Sequence, residues 1–142
     1  MKILLIGDAS NFHWTLAQGL RLNGHEVTVV SNGSRWMNNS RDIDISRKGF
    51  GPVDSMMYLS KILAYLPSWR GYDVVQVASP IFFTLRPEKN LSIFRQLKRQ
   101  NDKVFLQSLS TDYYYVKACF DGHTFRYSDF FVGDKPLQRP GY

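Results

Sequence analysis

The residues best suited to chemistry follow the first apolar run. Gly7, Asp8, Ser10, Asn11 and His13 come directly after "KILLI" and open a helix-like pattern. A glycine at a strand end permits close backbone approach, and Ser10 and Asn11 offer hydrogen bonds. The amides and dipole of a helix N-terminus favour an anion there. His13, on the first turn, can hydrogen-bond a hydroxyl. The plainer alternative is a turn glycine, a capping Ser10 and a surface or capping histidine, since every strand-to-helix junction needs a turn and a cap. On the sequence both stay open.

Several chemistries lack their signatures. A dinucleotide loop needs G-x-G-x-x-G, whereas "GDASNF" keeps only the first glycine and sets Asp8 where a pyrophosphate would be repelled. No G-x-x-x-x-G-K-[ST] occurs. A receiver domain needs an acidic pair after its first strand, and Asp8 has no acidic neighbour. His13, His25 and His123 are scattered without metal-ligand spacing. His25, in the turn before the second run, reads as structural. Cys119, the single cysteine, precludes an internal disulfide and reads as a packing residue.

Four apolar runs must carry these residues: Lys2–Ile6, Glu26–Val30, Asp73–Val77 and Lys103–Gln107. They are short, β-branched and mostly without strict alternation, which predicts strands buried on both faces of a parallel sheet. Helical patterns fall between them. The first runs over about 11–22 with Leu16, Ala17 and Leu20 inward, capped by Ser10 or Asn11. The second covers about 54–66, where Met56, Leu59, Leu63 and Leu66 fall at spacings of three and four. The third covers about 90–100, with Leu91, Phe94 and Leu97 inward and Arg95, Lys98 and Arg99 outward. "DIDI" reads as a short additional strand within a long polar excursion over 31–52. The expected fold is α/β, a Rossmann-like parallel sheet with helices on both faces.

The chain has 142 residues, enough for one domain with a real core, and 44% hydrophobic content excludes general disorder. A formal charge of +6 favours anionic partners. The excess is uneven: from Arg86 to Lys103 six basic residues face two acidic ones. Nucleic acid is not expected, because no reader motif occurs and the basic residues do not interleave with aromatics. The first apolar run is too short for a signal peptide or a membrane span, which predicts a cytoplasmic location. The tail after "YSDFFVGDKPLQRPGY" lacks a closing helix, so we expect residues 1–142 to be an N-terminal domain cut from a longer chain.

Taken together, "MKILLIGDASNFHWTLAQGLRLNGHEVTVVSNG" resembles the opening of a GT-B glycosyltransferase of the group 1, family 4-like type. The resemblance rests on His13, Leu16-Ala17, Leu20 and "GHEVTVV" (Gly24–Val30). It is weaker in "YDVVQVASP" and "KVFLQSLSTDYYY". Two departures stand out: Gly7-Asp8 replaces the frequent Gly-Gly pair, and Gln76 replaces a frequent histidine.

The family implies a two-domain enzyme that moves a sugar from a nucleotide-sugar donor to a carbohydrate or lipid-linked acceptor, as in polysaccharide biosynthesis. Its N-terminal domain holds the acceptor, no metal or other cofactor is needed, and the isolated domain is inactive. The E-x7-E donor motif belongs to the C-terminal domain. On this reading one glycine suffices in the first loop, because the partner domain grips the diphosphate.

The same resemblance suggests further contacts. Trp36 and Arg35 in the polar excursion, Ser79 after the third run, and Asp112 and Tyr113 after the fourth would border the acceptor. Asp112 equally suits a helix cap, and Phe12 and Trp14 suit helix packing as well as stacking on a sugar. The face Arg95, Lys98, Arg99 would lean on anionic lipid at the inner membrane, or simply be solvated. The alternative to the half-enzyme is a stand-alone Rossmann-like module that binds a small anionic ligand at Gly7–Asn11.

Overall fold

A computed structural model describes residues 1–8, 10–33, 39–107, 113–120, 131–132 and 135–136. The chain divides into two compact units, Met1–Gln107 and Ser108–Tyr142.

In the first unit the strands are β1 (Lys2–Ile6), β2 (Glu26–Ser31), β3 (Ile43–Asp44), β4 (Val74–Val77) and β5 (Lys103–Leu106). They form one parallel sheet in the order β3-β2-β1-β4-β5. Helices α1 (Phe12–Leu22), α2 (Pro52–Tyr65) and α3 (Pro87–Gln100) connect them, and a 3-10 turn over Leu66–Ser68 extends α2. The expected α/β, Rossmann-like architecture is what the chain adopts.

The central strand explains the lack of alternation in "KILLI". Ile3 and Leu5 pack with Val27, Val29 and Ala17 of α1. Leu4 and Ile6 pack on the other face with Tyr58 and Ile62 of α2 and Ile93 and Leu97 of α3. Both faces are therefore covered, α1 on one side and α2 and α3 on the other, as a buried parallel sheet requires. The "DIDI" segment supplies β3 at the sheet edge. There the Asp42 carboxylate accepts from the Val29 N–H at 2.7 Å and pairs with Arg21 of α1 at 2.6 Å.

Two helix faces differ from expectation. On α2 the buried residues are Tyr58 and Ile62, while Met56 and Leu63 are exposed and Leu59 is half-buried. That helix is apolar on two stripes, and the core takes the one that brings Tyr58 and Ile62 onto Phe83 and Trp69. On α3 the inward stripe is Asn90, Ile93 and Leu97, with Phe94 half-buried and Leu91 exposed. Arg95, Lys98 and Arg99 face outward as expected.

Asn90 is buried because it clamps the connection from β4 to α3. Its Oδ1 accepts from the Phe83 N–H at 3.0 Å, and its Nδ2 donates to the Phe83 and Leu85 carbonyls, each at 3.1 Å.

The second unit contains α4 (Tyr113–Phe120), with Cys119 buried, and a two-residue antiparallel pair, β6 (Phe131–Val132) and β7 (Lys135–Pro136).

Candidate functional site at the carboxyl edge of the sheet

The strand order reverses between β1 and β4: β2 and β3 follow β1 to one side, and β4 and β5 extend to the other. In an open α/β sheet the crevice beyond the strand ends at such a point is where ligands bind. Here the two strands end level, Ile6 beside Val77, and the ladder continues with Ala78 N–H donating to the Ile6 carbonyl at 2.9 Å. The β1–α1 loop and the β4–α3 connection therefore leave the sheet side by side.

Gly7 serves this junction. Its φ is +78°, and a Cβ built on it would lie 3.2 Å from the Ala78 Cβ and 3.5 Å from that of Phe82. The close approach that glycine permits is thus filled by the neighbouring connection. Its N–H donates to the Val30 carbonyl at 2.8 Å, tying the loop to β2.

Asp8 does what Ser10 or Asn11 was expected to do. Asn11 occupies the cap position of α1 without a side-chain cap bond, in the left-handed region with φ +66°. Instead Asp8 Oδ1 accepts from the His13 N–H at 3.1 Å, while Oδ2 accepts from Asn39 Nδ2 at 3.0 Å. A carboxylate at a helix N-terminus is stabilising through both the orphan N–H and the dipole. The expected Ser10 or Asn11 side-chain cap is corrected accordingly, because an aspartate three residues upstream reaches the same N–H. Ser10 is exposed and also left-handed, with φ +54°. Two successive non-glycine residues in that region carry strain of the kind that collects at ligand-facing loops.

His13 is neither a surface nor a capping histidine. Its ring is fully buried, and Nδ1 donates to the Gly7 carbonyl. Burial holds its pKa below the ordinary value, against smaller upward pulls from the Gly7 carbonyl and the Asp8 charge. The neutral ring with its proton on Nδ1 leaves a lone pair on Nε2, which is buried and without a hydrogen-bond partner among the described residues. An unpaired buried acceptor is a cost that a bound donor would relieve.

The expected site residues therefore distribute as follows. Gly7, Asp8, Ser10, Asn11 and His13 form one loop and helix start, and Ser79 stands half-buried in the adjacent connection. Tyr113 lies on α4 of the second unit, 70% exposed and edge-on to Tyr114 at 5.5 Å. Trp36, its neighbour Arg35, and Asp112 lie outside the described residues. Trp14 packs half-buried against the α1 side of the core, under the Arg21 guanidinium at 5.1 Å, whereas Phe12 is 42% exposed.

Sequence reasoning did not find Asn39 or Asn90, both buried amides: Asn39 bonds the Asp8 carboxylate far back in the chain, and Asn90 the backbone of Phe83 and Leu85 just upstream of it. It also passed over Arg47, which lies in the polar excursion and projects onto the β4–α3 connection. Among the described residues no group of three or more His, Cys, Asp or Glu is arranged to hold a metal ion, and no helix is long and apolar enough to cross a membrane. Comparison with family models, with curated proteins and with solved structures finds no match to this chain.

Proposed function

We propose that this chain is the acceptor-side domain of a glycosyltransferase of GT-B architecture. It would cooperate with a second α/β domain that binds the nucleotide-sugar donor, and it would be inactive alone. The observation that carries the reading is the switch point between β1 and β4, flanked by the loop that bears the resemblance, Gly7–His13, and by Ser79. In the proposed complex a sugar hydroxyl donates to the unpaired His13 Nε2 after local opening of the loop, and the strained Ser10–Asn11 backbone offers its polar groups to the acceptor. Asp8 acts as a positioning residue, holding the first turn of α1 through the His13 N–H.

Amide chemical shifts of the isotope-labelled chain, titrated with simple mono- and disaccharides and with nucleotide-sugars, test the proposal. Saccharides should shift Gly7–His13 and Ala78–Thr84 at millimolar concentration, and the nucleotide portion should bind weakly. Tight nucleotide binding at that loop without saccharide effects would replace this reading with a stand-alone anion-binding module. Peripheral contact of the basic α3 face with anionic lipid, and a cytoplasmic location, belong to the same proposal.

A further inference from the structure

The connections that follow β3 and β4 face each other across a cleft of about 600 Å3, a size that suits a small ligand. Three cations line it, Arg47, Arg86 and Lys89, together with the hydroxyls of Ser55 and Thr84 and the apolar side chain of Ile81. Among the described residues no carboxylate does. None of these residues belongs to the Gly7–His13 loop.

Arg47 is fixed from three sides. Its Nε donates to the Gly49 carbonyl at 2.6 Å, Nη1 to the Thr84 carbonyl at 3.2 Å, and Nη2 to the Ser55 hydroxyl. Its guanidinium lies over the Phe50 ring at 4.7 Å and near the Tyr58 ring at 5.8 Å. Every one of these hydrogen-bond partners is neutral; the Asp54 carboxylate lines a smaller neighbouring pocket with Arg47 but forms no ion pair with it. A guanidinium carries five N–H donors, and those left over remain for a ligand. Arg86 occupies the cap position of α3 and Lys89 its first turn; both are exposed. The ion pairs among the described residues, Arg21–Asp42 and Arg41–Asp44, involve none of the three. The first turns of α2 and α3 both contribute to the lining, through Ser55 and Lys89, so two helix dipoles add to the positive potential.

A guanidinium fixed by neutral partners and free of an ion pair, two further cations and two hydroxyls match a ligand with several anionic oxygens better than a single carboxylate. We infer that this cleft binds a phosphate group. The inference does not rest on the proposed sugar transfer, since it uses other residues. The phosphate has two sources to distinguish. One is a soluble phosphate ester. The other is a lipid headgroup, to which the exposed Phe50 and Ile81 would add apolar contact.

The test uses the full chain with glycerol 3-phosphate by calorimetry at constant ionic strength. In parallel it uses sedimentation with vesicles of phosphatidylglycerol against phosphatidylcholine. Each is repeated on Arg86→Gln/Lys89→Gln and on an outer pair, Arg70→Gln/Lys103→Gln, which removes the same charge near the amino ends of β4 and β5. All four side chains are exposed, so folding is preserved in both pairs. We expect saturable binding to at least one probe, weakened about tenfold or more by the cleft pair and within about twofold of the parent for the outer pair. Binding of the soluble ester assigns a soluble ligand; binding of the anionic vesicles alone assigns a headgroup. Absence of binding to both probes, or equal loss in both pairs, overturns the inference.

Discussion

Replacing Asn90 with alanine is the perturbation whose outcome the structure dictates most sharply. The Asn90 amide is fully buried and bridges Phe83 in both directions, accepting from its N–H at 3.0 Å and donating to its carbonyl at 3.1 Å. A further bond reaches the Leu85 carbonyl. Alanine leaves the Phe83 N–H without its partner beside a fully buried aromatic ring, while the Phe83 carbonyl keeps the Leu85 N–H at 2.7 Å. One orphaned buried N–H costs about 1–3 kcal/mol, so the loss should total about 2 kcal/mol. For a chain of this size that is about 5–10 °C in Tm. Asn90→Asp keeps the acceptor for Phe83 but turns a carboxylate oxygen toward two carbonyls. The proton needed to donate there raises the carboxyl pKa in the folded state. The folded state then binds more protons than the unfolded one, so the Asp variant should gain stability relative to the parent as pH falls toward about 4. Urea unfolding followed by circular dichroism at pH 7 and pH 5 measures both effects. A loss below about 1 kcal/mol for alanine, or a pH-independent defect for aspartate, would refute the clamp.

Three further outcomes follow from the junction of β1 and α1. Gly7→Ala should cost about 2 kcal/mol in urea unfolding, because the residue is left-handed and its added methyl meets Ala78 at 3.2 Å. A neutral result would mean the two connections separate freely. Asp8→Ala should cost about 1–2 kcal/mol, with increased amide exchange at His13, since the cap and the tie to Asn39 go together. His13 is held neutral by burial, so the unfolded chain binds its proton first. Stability is complete above the ordinary imidazole pKa of 6.5 and falls as pH drops below it, with a slope of at most about 1.4 kcal/mol per pH unit. Parent and His13→Gln unfolding compared over pH 7 to 5 should show that slope only in the parent.

The strands were legible as short apolar runs without strict alternation, the pattern of a sheet covered on both sides. The central β1 is so covered, whereas the edge strand β5, expected to be buried on both faces, leaves Phe105 and Leu106 exposed because it has a neighbour on one side only. The α1 stripe was legible because Leu16, Ala17 and Leu20 fall at helical spacing; Trp14 joins them at the core, while Phe12 and Leu22 stay exposed. The α2 face was not. Met56 and Leu63 compete with Tyr58 and Ile62 on a helix that is apolar twice over, and only contact with Phe83 and Trp69 chooses between them. Asn90 carried no apolar signal, because its burial answers the backbone of Phe83 and Leu85 rather than a hydrophobic period. In the candidate site, the loop Gly7–His13 was visible as a strand-to-helix junction. That Asp8 caps it and that His13 is buried depend on Asn39 and on the Gly7 carbonyl, which no local spacing reveals. The charge run from Arg86 showed an excess of cations. It could not show that Arg86 and Lys89 turn toward Arg47 while Arg95, Lys98 and Arg99 face outward.

The proposal that the carboxyl edge around Gly7–His13 is half of a sugar-transfer cleft is best tested by the reading frame downstream of Tyr142 in the source genome. The expected result is a continuation of roughly one further α/β domain carrying an E-x7-E pair. A stop codon directly after Tyr142 would contradict it.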